Sequence, residues 1–103
     1  MLNEVLFEDT TKAINSLEKS KGRGVYIDRR LFAKKEKNEK PINLDRWIIF
    51  PKGRGRCIVV VGEKEDIFNL SLEHAIAILV PAGSGYSLEA VSENITVTIF
   101  LPN

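Results

Sequence analysis

The chain has 103 residues, of which 44% are hydrophobic and 28% are charged, and it contains one cysteine. This composition is typical of one globular domain with one core, and it excludes an intrachain disulfide, a thiolate zinc site and an extended disordered chain. No apolar run reaches the roughly 18 residues that span a bilayer, and the acidic first ten residues do not resemble a signal peptide. We therefore expect a single cytoplasmic domain over residues 1–103.

Charge is unevenly distributed although the net charge is only +1. Residues 1–56 contain 14 Lys/Arg and 8 Asp/Glu, whereas residues 57–103 contain one lysine and six acids. If the two halves fold side by side, a basic face would favour an anionic partner or head-to-tail self-association. If the halves interleave in space, the asymmetry disappears. The sequence leaves both arrangements open.

The first predicted element is a short helix over residues 9–21. Asp9 or Thr10 suits its N-cap, and Gly22 suits the position after its last turn. Its apolar residues follow at helical spacing: Ala13, Ile14 and Leu17.

From Gly24 onward the pattern changes to strands, which predicts a β-barrel over residues 24–102. Turn residues separate apolar segments at intervals of about 8–12 residues, as in antiparallel sandwiches and barrels. Continuous apolar runs such as Cys57–Val61 predict strands buried on both faces, with Cys57 as an inert buried thiol. The last strand is expected at a sheet edge that a partner covers. The predicted strands are 24–34, 42–50, 56–61, 66–72, 75–80, 86–91 and 95–101, with a charged, mobile loop at 36–41.

Two segments resemble the cupin superfamily. The segment WIIFPKGRGRCIVVVGE, which begins at Trp47, is similar to the first cupin motif, and AIAILVPAGSGYSLEAVSENITVTIFLP, which begins at Ala75, is similar to the second. In the second segment Pro81 would stop strand pairing and Gly83 would permit a positive φ, so that Tyr86 enters the opposite sheet facing the interior. The resemblance implies an all-β fold, a small cupin-type double-stranded β-helix (jelly roll) with one short N-terminal helix.

The resemblance also implies where a metal would be held. Metal-binding cupins supply two histidines and a glutamate from the first motif and a third histidine from the second. Here the glutamate position falls on Arg46, the first two histidine positions near Lys40 and Ile42, and the third on Tyr86. His74, the only histidine, matches none of them. Because a guanidinium would place a fixed positive charge at the cation site, we expect no metal and no other cofactor.

Four residues are candidates for a ligand-binding pocket: Arg46, Tyr86, Trp47 and His74. If Arg46 and Tyr86 face the interior, they offer a donor fork and a phenol to a carboxylate, phosphate or sugar hydroxyl. Alternation along a strand places Arg46 and Trp47 on opposite faces, so only one of them can line the pocket. The alternative is an exposed Arg46 and a core Trp47. His74 lacks an orienting acid on its own face, so a turn or edge histidine is the preferred interpretation and no catalytic residue is assigned.

A weaker candidate site is basic and would bind anions. The pattern of Lys21–Gly24 recurs in Lys52–Gly55, and two such turns on one face would concentrate positive charge. A solvated hairpin turn is the default interpretation, and the absence of interleaved aromatic residues disfavours nucleic acid as a partner. The residues of this candidate site are Lys52, Arg54, Arg56, Lys21 and Arg23.

These observations favour a metal-free cupin-like domain that acts as a homodimeric interaction module or binds a small polar or anionic ligand, without membrane contact. Short cupin domains with tyrosine in place of the last histidine also resemble the dimerisation domain of a centromere protein family. A first alternative is a metal-independent sugar or sugar-phosphate isomerase or epimerase, because the phrase PAGSGYSL is similar to sugar-modifying cupins. A weaker alternative is nucleic-acid or phosphate binding through the basic N-terminal half.

Overall fold

A computed structural model describes residues 4–31, 37–38, 42–89 and 95–102. They form two antiparallel sheets that pack against each other, with one helix on the outer face of the larger sheet. No helix in these ranges is both long and apolar enough to cross a membrane. The elements in chain order are β1 (Glu4–Phe7), α1 (Thr10–Lys21), β2 (Gly24–Leu31), β3 (Lys37–Asn38), β4 (Arg46–Phe50), β5 (Arg56–Val61), β6 (Lys64–Asn69), β7 (Ala75–Val80), β8 (Gly85–Glu89) and β9 (Ile95–Pro102).

Helix α1 has the ends that the sequence predicts. Asp9 is the N-cap, and its Oδ1 accepts a hydrogen bond of 2.8 Å from the backbone N–H of Lys12. The backbone N–H of Gly22 donates to the carbonyl of Glu18 at 2.9 Å and ends the helix. These bonds satisfy backbone groups that have no partner inside the helix. The buried residues of the helix are Ala13 and Leu17.

The larger sheet has the strand order β1-β7-β4-β9-β2, and all neighbours are antiparallel. Strand β9 therefore lies inside the sheet, between β4 and β2. The expectation that the last strand forms a sheet edge is wrong. Its apolar residues are buried by neighbouring strands of the same chain, because pairing partners far away in the sequence cannot be read from a local pattern.

The smaller sheet has the strand order β3-β8-β5-β6. In β5 the inward-facing Cys57 and Val59 are fully buried, whereas Val60 is 39% exposed. The apolar run in β5 is thus buried on one face only, and the expectation of burial on both faces is wrong for this strand. It is correct for β4 and β7, because α1 covers the outer face of the larger sheet.

Alternation along the strands divides the core into two layers. In β4, Ile48 and Phe50 belong to the cluster between the sheets, whereas Trp47 and Ile49 belong to the cluster beneath α1. The inner cluster contains thirteen buried residues, all of them aliphatic or aromatic except for Cys57. The space between the two sheets is therefore lined predominantly by apolar side chains.

Gly24 allows a close approach beneath the helix. A Cβ atom at this position would overlap the ring of Phe100 and would lie 2.5 Å from the backbone oxygen of Leu101. The Phe100 ring itself stacks on Tyr26, with ring centroids 4.8 Å apart. Only glycine leaves room for this ring at the start of β2.

Several boundaries differ from the predicted ones. Strand β1 was not predicted, since its exposed residues carry no burial pattern. Lys37–Asn38 forms a strand inside the predicted loop, and the strand predicted from Ile42 begins only at Arg46. The predicted strand ends at 32–34 and 90–91 lie outside the described residues. Strands of the basic and acidic halves interleave in the larger sheet, which decides between the two arrangements of charge left open above.

Candidate functional site

Arg46 and Tyr86 both face the space between the sheets. Arg46 is fully buried and lies on the same face of β4 as Ile48, and Tyr86 is 5% exposed and belongs to the inner cluster. Trp47 points the other way and packs beneath α1. Of the two alternatives for β4, the structure therefore selects an inward-facing Arg46.

The guanidinium of Arg46 donates hydrogen bonds to backbone carbonyls. Nη1 donates to the oxygen of Leu44 at 2.9 Å, and Nη2 donates to the oxygen of Ser84 at 2.6 Å. Hydrogen bonds from a charged donor are stronger than neutral ones, so this side chain joins the segment before β4 to the start of β8. Part of its donor capacity is thus used inside the protein rather than offered to a ligand.

The turn between β7 and β8 has the conformation that the sequence predicts. Gly83 has φ of 84°, and the chain passes from the larger sheet to the smaller one, where Tyr86 faces inward. The backbone N–H of Gly83 donates to the oxygen of Ile42 at 2.7 Å, and that of Ala82 donates to Oδ1 of Asp45 at 2.7 Å. Together with Arg46, these bonds close one end of the sandwich.

His74 lies far from this closed end. In the pairing of β4 with β7, Arg46 is opposite Val80 and Phe50 is opposite Ile76, so His74 precedes β7 at the other end. The length of these strands separates His74 from the Val80 end by about 20 Å. Its backbone N–H donates to Oγ of Ser71 at 3.1 Å. Arg46 and Tyr86 therefore both face the space between the sheets, whereas Trp47 and His74 lie outside it.

Asp66 is an inward-facing polar residue that the sequence analysis missed. It is half-buried and pairs with Val59, which on its other side pairs with Tyr86. Residues opposite each other share a face, so the carboxylate and the phenol flank Val59 within about 10 Å across the sheet. The sequence predicts a strand that begins at Asp66, but β6 begins two residues earlier, at Lys64, and the turn before it contains only Gly62 and Glu63. Asp66 lies two residues before the buried Phe68 in β6, and side chains two residues apart point to the same face of a strand. This alternation is the sequence signal that would have indicated an inward-facing Asp66.

The two basic turns do not meet. Gly24 pairs with Pro102 at one end of β9, whereas a Cβ on Gly53 would lie 3.6 Å from Ile95 at the other end. The eight residues of β9 keep the turns about 23 Å apart. The predicted grouping of Lys52, Arg54 and Arg56 with Lys21 and Arg23 is therefore wrong. Arg56 begins β5, where it is exposed and opposite Asn69.

A metal does not fit the residues around Arg46. A fully buried guanidinium would repel a cation placed beside it, and burial strengthens that repulsion. Within the described ranges no group of three His, Cys, Asp or Glu residues could hold a metal ion. Lys40, which the resemblance places at one histidine position, lies outside the described residues.

No family model and no curated protein sequence matches this chain. Solved structures are similar to it. The capsular polysaccharide assembling protein CapF from Staphylococcus aureus has a TM-score of 0.66 at 11% identity, covering 100% of this chain and 30% of CapF. The 3′-monoepimerase ChmJ from Streptomyces bikiniensis, in complex with dTDP-quinovose, has a TM-score of 0.64 at 15% identity, covering 96% and 61%. The TDP-quinovose 3,4-ketoisomerase WlaRB from Campylobacter jejuni has a TM-score of 0.59 at 14% identity, covering 81% and 63%.

These similarities establish the fold. The chain has the cupin-type architecture, the RmlC-like jelly roll, as the two sequence segments indicate. It spans less than two thirds of the length of each of these three structures, and several of its structural neighbours act on or assemble sugars. At such low identity the likeness concerns the backbone, and the activity must be argued from the side chains.

Proposed function

We propose that this chain is a metal-free cupin-type domain that works as a homodimeric interaction module, with β2 as its contact strand. The observation that carries the proposal is the exposure of apolar side chains on this edge. Val25 is 54% exposed and Ile27 is 44% exposed, and both point to the same side of the sheet as Ile99 and Leu101. A long edge strand with apolar side chains is a template for pairing with another strand.

The other edges of the two sheets are less suited to this contact. Strands β1 and β6 also expose apolar side chains, but β1 has only four residues and begins with an exposed glutamate, and β6 begins with exposed Lys64 and Glu65. Strand β2 has eight residues and, among the described residues, has β9 as its one strand neighbour. A second copy of β2 would extend the sheet and cover Val25 and Ile27.

Charge favours one register for this contact. If a twofold axis perpendicular to the sheet relates the two copies, each residue of β2 lies opposite a residue of the second copy whose side chain points to the same face of the sheet. An axis at Ile27 places this side chain against its symmetry mate and places Tyr26 opposite Asp28. An axis at Asp28 or at Arg29 would place like charges opposite each other, which is destabilising. An axis at Tyr26 or at Val25 would pair only five or three residues of β2, whereas an axis at Ile27 pairs seven, so we propose the register centred on Ile27.

The experiment is light scattering coupled to size-exclusion chromatography. The chain is expected to elute at twice its mass of 11.6 kDa. The double variant Val25→Lys, Ile27→Lys should elute as a folded monomer, because lysine blocks edge pairing. The matched control is Ile67→Lys, since Ile67 is 54% exposed on the other sheet. It should remain dimeric. A monomeric wild type at millimolar concentration, or equal dissociation of both variants, would contradict the proposal.

A second candidate function is binding of a sugar or sugar phosphate between the sheets. The inward-facing Tyr86, half-buried Asp66 and buried Arg46 support it, because a phenol, a carboxylate and a guanidinium can together hold hydroxyl and phosphate groups. The named sugar enzymes of the same fold give it further support. If the wild type is monomeric and dTDP-quinovose raises its melting temperature, this candidate replaces the first.

A further inference from the structure

Four exposed cations lie at the end of the sandwich opposite the closed end. We call this surface the basic end, and its residues are Arg29, Arg30, Lys52 and Arg54. In the register of the larger sheet Arg30 pairs with Thr96. A Cβ on Gly53, which stands between the two other cations, would lie 3.6 Å from the adjacent Ile95. The fold thus brings the end of β2 beside the turn after β4.

The distances within the basic end are short enough for its charges to act together. Strand β9 separates β2 from β4, so two strand spacings, about 10 Å, lie between the backbones that carry Arg30 and the turn. This is comparable to the Debye length of about 8 Å at physiological ionic strength. Because side chains alternate along β2, Arg29 and Arg30 point to opposite faces of the sheet, so a single polyanion can contact Lys52, Arg54 and one of these two arginines.

The cations are held on a fixed backbone and are available for binding. The N–H of Gly53 donates to the oxygen of Ser71 at 2.8 Å, and the N–H of Leu70 donates to the oxygen of Gly55 at 2.8 Å. These two bonds fix the turn to the segment after β6. None of the four cations forms a hydrogen bond or an ion pair through its side chain with a described residue.

We propose that the basic end binds the phosphate backbone of a nucleic-acid duplex without reading its sequence. A duplex presents phosphates at regular intervals on a stiff surface, so separate cations on a fixed backbone can each contact one of them. Three of the four cations are arginines, whose guanidinium groups bind phosphate in a bidentate manner. The cations are spread over about 10 Å at one end of the sandwich, which suits an extended partner better than a small anion.

Two other polyanions fit the surface less well. A single strand is normally held by stacking of bases on aromatic rings, and no aromatic side chain of the described residues is in the exposed class. A flexible acidic peptide would lose conformational entropy when it binds this surface, whereas a duplex is already stiff. An exposed apolar residue, Leu72, follows Ser71 at this end and could anchor such a peptide, so it enters the test.

The test is fluorescence anisotropy with labelled DNA and RNA duplexes of unrelated sequences between about 50 and 200 mM salt. For three phosphate contacts the slope of log Kobs against log salt is about −2.7, and loss of two cations should reduce it by about 2. The variant is Lys52→Gln, Arg54→Gln. The matched control is Lys19→Gln, Lys64→Gln, which also removes two positive charges, from exposed positions outside β2 and the residues beside it. We expect the variant to weaken binding at least tenfold at the lowest salt and the control to bind like wild type.

Three outcomes would overturn the proposal. These are undetectable binding at the lowest salt, equal loss in the variant and the control, and tighter binding of a single strand than of a duplex. Displacement of the duplex by polyglutamate, together with weaker polyglutamate binding by Leu72→Ser, would assign the surface to an acidic protein segment instead. The mass of the Lys52, Arg54 variant by light scattering reports separately on the homodimer, so failure of one proposal is distinguishable from failure of the other.

Discussion

The two ends of the sandwich use arginine in opposite ways. At the closed end Arg46 is fully buried, and its guanidinium donates to the carbonyls of Leu44 and Ser84. At the basic end Arg54 and the three other cations are exposed, and their side chains make no hydrogen bond to a described residue. Burial of a charge is tolerated only when hydrogen bonds compensate for lost water, so a buried arginine becomes part of the structure. A solvated arginine remains available to a partner.

The largest expected effect comes from removal of the buried guanidinium. Arg46→Ala leaves the buried carbonyl of Ser84 and the part-buried carbonyl of Leu44 without this donor and opens a cavity, so we expect the free energy of unfolding to fall by about 3 kcal/mol or more. Arg54→Ala should change it by less than about 0.5 kcal/mol. Urea titrations followed by circular dichroism measure both. Arg46→Met retains most of the volume and should lose less than the alanine variant. Equal values for Arg46→Ala and Arg54→Ala would remove the distinction between the ends.

A smaller effect is expected from adding one methyl group at each end. In Gly24→Ala the new Cβ overlaps the Phe100 ring and the Leu101 carbonyl, so a loss of about 2 kcal/mol is expected. In Gly53→Ala the nearest atom, Cγ2 of Ile95, would be at an ordinary contact distance of 3.6 Å. We expect this variant to stay within about 0.5 kcal/mol of wild type. The same urea titrations measure the stability of both variants. A Gly24→Ala variant as stable as Gly53→Ala would show that the Phe100 ring can move away from the added methyl group.

The smallest effect concerns Tyr26 at alkaline pH. Burial raises the pKa of Tyr26 above the ordinary tyrosine value of 10.0, and the negative charge of Glu18 makes a smaller contribution in the same direction. The unfolded chain then loses this proton at a lower pH than the folded one, so stability falls as pH rises from the unfolded pKa through the raised folded pKa. The urea midpoints of wild type and Tyr26→Phe, plotted against pH, should run parallel from about pH 8 to near pH 10. Between there and about pH 11 the midpoint of the wild type should fall more than that of the variant. Curves that stay parallel to the highest pH would contradict the raised pKa.

Elements with local determinants could be predicted from the sequence. The caps of α1 and the turn around Gly83 depend on residues a few positions apart, and both have the predicted form. Strand β1 has no such signal, because its position depends on pairing with β7 about seventy residues later. The edge position of the last strand was wrong for the same reason, since strand order is a property of distant contacts.

In the candidate site, too, features that depend on neighbouring residues could be predicted, whereas features that depend on distant pairing could not. Alternation along β4 correctly separated Arg46 from Trp47, because side-chain direction has a period of two. Nothing in the sequence placed His74 at the opposite end or Asp66 opposite Val59, since both depend on register. The repeated basic turns were grouped by likeness of sequence, whereas the fold joins one of them to Arg29 and Arg30.

The central position of β9 has a consequence for how the chain folds during synthesis. Strands β2 and β4 are made early, but the strand that pairs with both of them is Ile95–Pro102. A nascent chain emerging from the ribosome holds these two strands without their shared neighbour until the final eight described residues are available. The larger sheet must therefore close after translation of residue 102. Until then β4 can pair only with β7 and β2 has no strand partner, so their free edges are exposed to chaperones and to other nascent chains.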